Sequence, residues 1–172
     1  MRHLAAATLI LAGLAYTAPA AQPLAPSDEE DLRKTALELK DAIVHEDVQG
    51  ILRRVSRSKG LICTDSRISY QQVQTDLHNK NSHLYMSLFD SARFAKRCGG
   101  QYPPAYPAVS EKEFFTAVQN DMIEIARVGK GWAQVVFKSK TEGHYPREWV
   151  FHKEGGQWRL SDGFIVSRCT CG

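Results

Sequence analysis

WAQVVFKSK (Trp132–Lys140), REWVFHK (Arg147–Lys153) and QWRLSDGFIV (Gln157–Val166) follow one another in the last third of the chain, and apolar and polar residues tend to alternate in each. A period of two belongs to strands that bury one face. The connections VGKG, TEGHYP and EGGQ are short and rich in glycine, as antiparallel hairpins require. With Met122–Val128 ahead of them, these segments predict three or four strands in a meander.

Upstream the period is close to four. Leu32, Ala36, Leu39 and Ile43 form one apolar stripe of a helix, and Ser27 with Glu30 predicts a capping box at its start. Asp47 is placed to cap a second short helix through Ile51, Leu52 and Val55. GLIC (residues 60–63) is too short to assign and reads as a strand or an extended turn. Ser69 with Gln72 repeats the capping pattern ahead of Val73 and Leu77. A further helix from Ser82 is expected to turn Leu84, Tyr85, Leu88 and Phe89 inward. CGGQYPPAYPAVS is a loop by its glycine and proline content, and Ser110 with Glu113 opens a last short helix, EFFTAV. Helices followed by an antiparallel sheet predict an α+β domain whose curved meander packs over the N-terminal helices.

The first twenty residues have the form of an export signal. Arg2 and His3 precede an apolar run from Leu4 to Leu14, and Ala18-Pro19-Ala20 fits a small-residue cleavage rule. The run is too short to span a bilayer. Cleavage after Ala20 leaves 152 of the 172 residues: a linker at 21–27 and a single domain at 28–172. The 22 Lys and Arg against 19 Asp and Glu make the mature net charge about +2, too near neutral to indicate nucleic acid. No stable membrane anchor is expected after cleavage, and the protein is expected in the periplasm or outside the cell.

All four cysteines, Cys63, Cys98, Cys169 and Cys171, lie in the mature part, and an even count in an exported chain predicts two disulfides. Zinc is the weaker reading, because Cys63 and Cys98 are single and 35 apart. Redox catalysis would use C-x-x-C at a helix start, which the chain lacks. In an extended tail Cys169 and Cys171 face the same side, and a bond between them would close a strained ring. The expected arrangement joins one tail cysteine to each of Cys63 and Cys98, with the partners unassigned.

The helical half LELKDAIVHEDVQGILRRVS followed by the three strands quoted above resembles the nuclear transport factor 2-like superfamily, a cone-shaped α+β fold. The resemblance covers roughly residues 28–166 and rests on order, length and strand pattern. It implies a helix-lined cone under a curved sheet. Isomerases, dehydratases, ligand carriers and exported domains without chemistry share that fold, so it assigns no activity. Enzymes of the fold place Asp, Tyr or His inside the cone. The nearest residues here are Tyr85, Asp90, His144, His152 and Asp162, and no motif holds them together.

Other features have plain structural explanations. His152 shares a strand face with Val150, opposite Trp149 and Phe151, which puts it on the less apolar side. His78 and His83 are five apart and point away from each other on a continuous helix. The basic run RRVSRSK (residues 53–59) suits a helix C-terminus, where cations meet the macrodipole. Arg93, Lys96 and Arg97 form a second basic group; the two groups read as a solvated face, with an anionic polymer or lipid surface as the alternative partner. QYPPAYP is a stiff connection or a polyproline segment for a partner. No metal, cofactor or catalytic set is expected. The reading that remains is an exported, non-enzymatic domain that binds a protein, peptide or small ligand, with Tyr85, Phe89, Trp149 and Phe151 as the candidate contacts. The alternatives are an isomerase-, dehydratase- or hydrolase-like enzyme of the same fold, with Asp90 or Asp162 paired to a histidine, and a neutraliser of a secreted toxin or enzyme.

Overall fold

The computed structural model describes residues 23–63, 66–98, 109–118, 122–139 and 146–164. Among them the chain is α+β. The helices are α1 (Pro26–Val44), α2 (Val48–Arg54), α3 (Tyr70–His78), α4 (His83–Phe89), α5 (Ser91–Cys98) and α6 (Glu111–Ala117). The strands are β1 (Leu61–Cys63), β2 (Ser66–Ile68), β3 (Ile123–Gly129), β4 (Trp132–Phe137), β5 (Arg147–Glu154) and β6 (Gln157–Asp162).

The meander is present as β3 to β6, each strand antiparallel to the next. It is one part of a mixed sheet in the order β2-β1-β6-β5-β4-β3. Strand β1 lies parallel to β6 with Ile62 opposite Asp162, and carries β2 antiparallel at the edge. The wholly antiparallel sheet expected from the sequence is corrected here. A three-residue strand such as LIC has no room to show a period, so its pairing depends on where α2 delivers it.

Four helices begin where their capping residues predict. Asp47 accepts from Gly50 N–H at 2.9 Å, Ser69 from Gln72 at 3.1 Å, Ser82 from Tyr85 at 3.0 Å and Ser110 from Glu113 at 3.3 Å. Helix α1 differs. It starts at Pro26 with Ala25 as its N-cap and no side-chain cap, so the Ser27–Glu30 box does not form. Proline at the first helical position has its φ already set, and the N–H it lacks is one that would have no partner within the helix anyway. Between α4 and α5, Asp90 ends one helix and accepts from Arg93 N–H at 2.9 Å to start the next, which the sequence reading did not separate.

The α1 stripe of Leu32, Ala36, Leu39 and Ile43 is fully buried, as its spacing predicts. It faces the inner surface of the sheet, where Ala133, Val135, Phe137, Trp149, Phe151, Trp158 and Leu160 are also buried. Strand alternation in β5 holds: Trp149 and Phe151 point inward, while Val150 and His152 lie on the outer side. At the sheet end, Gly163 has φ +114, and a Cβ there would lie 2.2 Å from the Glu148 carbonyl oxygen. Only glycine lets the chain pass that close, which brings Phe164 onto Trp149.

One ion pair is sealed into the core margin. Arg147 Nε donates to Glu111 Oε1 at 3.0 Å, with the two side chains 6% and 1% exposed. The guanidinium also lies over the Phe114 ring at 4.5 Å. Removing one partner takes the opposite charge away from a buried group, so Arg147→Met should cost about 3–5 kcal/mol in urea unfolding. The double variant Glu111→Leu/Arg147→Met should recover most of that loss. A single-variant cost below about 1 kcal/mol would show that water reaches the pair.

Candidate functional site

The interior beneath the sheet is filled with rings. Phe115 of α6 contacts Phe137 and Trp149 edge-on at centroid distances of 5.0 and 4.8 Å. Phe137 and Trp149 lie 4.6 Å apart, and Phe151 and Phe164 extend the cluster on either side of Trp149. Trp149 and Phe151, both candidate ligand contacts by sequence, are wholly buried parts of this cluster. Tyr85 and Phe89 are different. They stay half-exposed on α4, packed edge to face at 4.9 Å, with Phe89 against the margin of the core that Leu84 and Leu88 enter.

Phe89 lines an open groove of about 560 Å³ between the α4–α5 junction and α6, with Asp90, Ser91, Ala92, Lys112, Glu113, Thr116 and Ala117. Its floor is held by Ser91 Oγ, which donates to Ser110 Oγ at 2.8 Å and accepts from Ser110 N–H at 2.9 Å. Tyr85 stands beside it. Its hydroxyl points to Glu46 Oε2 at 3.5 Å, and Glu46 in turn takes Lys112 Nζ at 2.6 Å. Partial burial and then the Glu46 carboxylate push the Tyr85 hydroxyl pKa up, so the phenol is a neutral donor at ordinary pH.

A second constellation lies on the outer face of the sheet. Helix α2 stops at Arg54, so the macrodipole accounts only for Arg53 and Arg54 of the basic run, and residues 55–60 turn back across β6. Val55 bridges Leu160, and Ser56 N–H donates to the Leu160 carbonyl at 2.7 Å. Glu154 at the end of β5 then pins the turn. It accepts from the Ser56 hydroxyl, from Ser58 Oγ at 2.6 Å and from Arg57 N–H at 3.2 Å. These donors hold the Glu154 carboxyl below the ordinary glutamate pKa even though partial burial acts the other way.

The turn sets Lys59 Nζ 3.1 Å from His152 Nδ1. Nζ also lies 3.5 Å from Nε2, and because lysine only donates, the ring nitrogen that meets it accepts and the imidazole is neutral. Desolvation and then the Lys59 charge lower the His152 pKa, against the opposing pull of Glu154.

The remaining sequence candidates do not converge. Asp90 binds Arg93 through Nε at 2.6 Å, and its pKa is lowered first by the Arg93 backbone N–H. Asp162 sits opposite Val150 on the sheet, its pKa raised by burial and eased by Arg67. His78 bonds the Gln74 carbonyl at 2.7 Å through Nδ1. Among the described residues no group of three His, Cys, Asp or Glu is placed to hold a metal, and no helix is long and apolar enough to cross a membrane. His144, QYPPAYP, Cys169, Cys171 and the side chains of Cys63 and Cys98 lie outside the described residues. Compared with known proteins, the chain matches no family model and no curated protein.

Sequence reading missed that the turn of Ser56, Ser58 and Lys59 meets Glu154 and His152, across 93 to 98 residues of chain for the contacts that join them. The signal present was local: Ser56, Ser58 and Gly60 mark a turn after the helix.

A histidine with a folded pKa below its unfolded value lets the unfolded state bind more protons at intermediate pH. Its contribution to stability is therefore complete above the ordinary histidine pKa and is lost as pH falls through that value toward the folded one. A ring-proton NMR titration should place the His152 midpoint below 6.5. Lys59→Met should move it upward, and Glu154→Gln should move it further down.

Proposed function

We propose that the protein is an exported, non-enzymatic binding domain of nuclear transport factor 2-like type, which holds a small ligand or a short peptide against the α4–α6 groove. The observation that carries this reading is the filled interior. Enzymes of that fold work in an open cone, and here Phe115, Phe137, Trp149, Phe151 and Phe164 occupy the space where a substrate would sit. Recognition then falls to the outside. The groove offers the half-exposed Phe89 and the small side chains of Ala92, Thr116 and Ala117, edged by Lys112, Glu113 and Asp90. An apolar floor with a few charged groups at its rim is the usual composition of a small-ligand site. The balanced composition, with a mature charge near +2, supports a protein or small-molecule partner over nucleic acid.

An NMR screen of the mature chain, residues 21–172, with small aromatic and aliphatic acids and amines tests the groove. Amide shifts should concentrate at Phe89, Ala92, Lys112 and Thr116, and Thr116→Arg should abolish them with the fold intact. Shifts centred instead on Trp149 and Phe151 would mean that the cone opens, and would overturn the reading.

The same proposal includes export and a covalent clasp. Expressed in a bacterial host with its leader, the protein should be recovered from the periplasm starting at Ala21. Non-reducing peptide mapping should join the 169–171 tail to peptides carrying Cys63 and Cys98. Each bond closes a loop of about 70 to 110 residues, worth on the order of 4 to 5 kcal/mol in the chain-entropy treatment. Four free thiols in the exported protein would end that part of the proposal.

A further inference from the structure

We propose that the outer face of the sheet carries a binding site for a phosphate-class oxyanion, formed by Arg57, Lys59, Arg67 and Arg159 around His152. This site is separate from the α4–α6 groove and does not depend on it.

The residues are assembled by register. His152 on β5 is directly opposite Arg159 on β6, and both lie on the face turned away from the core. In the next row Val150 pairs with Asp162, Asp162 with Ile62 across to β1, and Ile62 with Arg67 on β2. Lys59 reaches His152 from above, and Arg57 leaves the same turn with its guanidinium 5.8 Å from the Tyr70 ring. The arrangement is tight enough for the charges to act on one another. Lys59 and Arg67 both disfavour protonation of His152, and after burial the charges of Arg54 and Arg57 lower the pKa of Arg159.

The cations here outnumber the two carboxylates beside them, Glu154, which acts on Arg159 and His152, and Asp162, which feels Arg67. Several other arginines and lysines meet a carboxylate directly: Arg33 with Glu29, Arg54 with Glu38, Arg93 with Asp90, Lys112 with Glu46, Lys138 with Glu124 and Lys153 with Asp28. Among the described residues, none of Arg57, Lys59, Arg67 or Arg159 lies within ion-pair distance of a carboxylate. The nearby Glu154 is occupied by Ser56, Ser58 and the Arg57 N–H. Holding like charges together costs free energy that an arriving anion returns. Guanidinium groups present paired N–H donors that match the edges of a tetrahedral oxyanion, and a lysine adds a point charge.

The frame is rigid before anything binds. Lys59 N–H donates to Ser56 Oγ at 2.9 Å and Gly60 N–H to the Ser56 carbonyl at 3.0 Å. Gly60 takes φ +64, and a Cβ there would stand 2.0 Å from the Ile68 carbonyl oxygen, so the turn is pressed against β2. Binding therefore orders little new chain. His152 supplies the response. An anion offsets Lys59, Arg67 and Arg159, the cations facing the ring, and lets it take a proton. Proton uptake on binding makes affinity rise as pH falls.

Sulfate is the first probe, because its charge is constant across the useful pH range. In the mature chain at fixed ionic strength, sulfate and pyrophosphate should shift the His152 ring protons and the amides of 57–60 and 159 saturably. The His152 midpoint should rise with sulfate, and sulfate affinity should increase roughly fivefold from pH 8 to pH 5.5. Arg159→Gln should weaken binding about tenfold or more, while Lys130→Met on the β3–β4 turn should not change it. Vesicles of phosphatidylglycerol against phosphatidylcholine separate the sources. Retention on the anionic vesicles that Arg159→Gln abolishes assigns a lipid headgroup, and pyrophosphate binding without retention assigns a free phosphate compound. Shifts that chloride reproduces at equal ionic strength, or that survive Arg159→Gln, would overturn the site and leave the cations as a guard on the exposed β2 edge.

Discussion

The contact between Phe115 of α6 and the Phe137–Trp149 pair on the sheet is the constraint on which the rest of the structure depends. Three large rings meet edge-on within about 5 Å of one another, a geometry that favours aromatic quadrupoles and removes a large apolar area from water. With Phe115 anchored, α6 has one orientation. Its neighbour Phe114 falls beside Arg147, and Glu111, one turn earlier, meets that arginine. The outer side of the same helix, with Lys112, Thr116 and Ala117, faces the α4–α5 junction and forms the groove. Filling the space beneath the sheet and creating an external groove are thus two results of one packing event.

The outer face follows different physics. Its positions are held by the sheet register and by Glu154, whose carboxylate gathers the turn after α2 through two hydroxyls and a backbone N–H. Once the turn is docked, Lys59 is committed to the side of His152, and cations from three segments, the turn, β2 and β6, share a small area. A solvated surface would separate such charges or pair them, as most of this protein's surface does. The apolar interior and the charged exterior of the same strands therefore carry opposite kinds of organisation, divided by the two-residue alternation of β5 and β6.

Much of the architecture was legible because it is local. Asp47, Ser69, Ser82 and Ser110 each satisfy N–H groups three residues ahead, so short-range chemistry marks four helix starts. The strands of the meander announce themselves by alternation, and the α1 stripe by its period. The failures have local causes too. Pro26 overrides the Ser27–Glu30 box, Asp90 divides one apparent helix into two, and β1 and β2 are too short to show a pattern. For the candidate site, residue type alone could not separate Phe89 from Trp149. Both are aromatic in an amphipathic segment, yet one rims a groove and the other is the centre of the core.

By itself the sequence determined the α+β class, the order of helices before meander, most helix starts and which face of β5 is apolar. These depend on periods and caps spanning a few residues, where the chain's own stereochemistry decides. Only the tertiary structure decided that the sheet is mixed, that aromatic rings fill the space beneath it, and that Lys59, Glu154 and His152 stand together. Those outcomes depend on side chains far apart in sequence competing for the same volume or the same field, and that competition is resolved only when the elements dock.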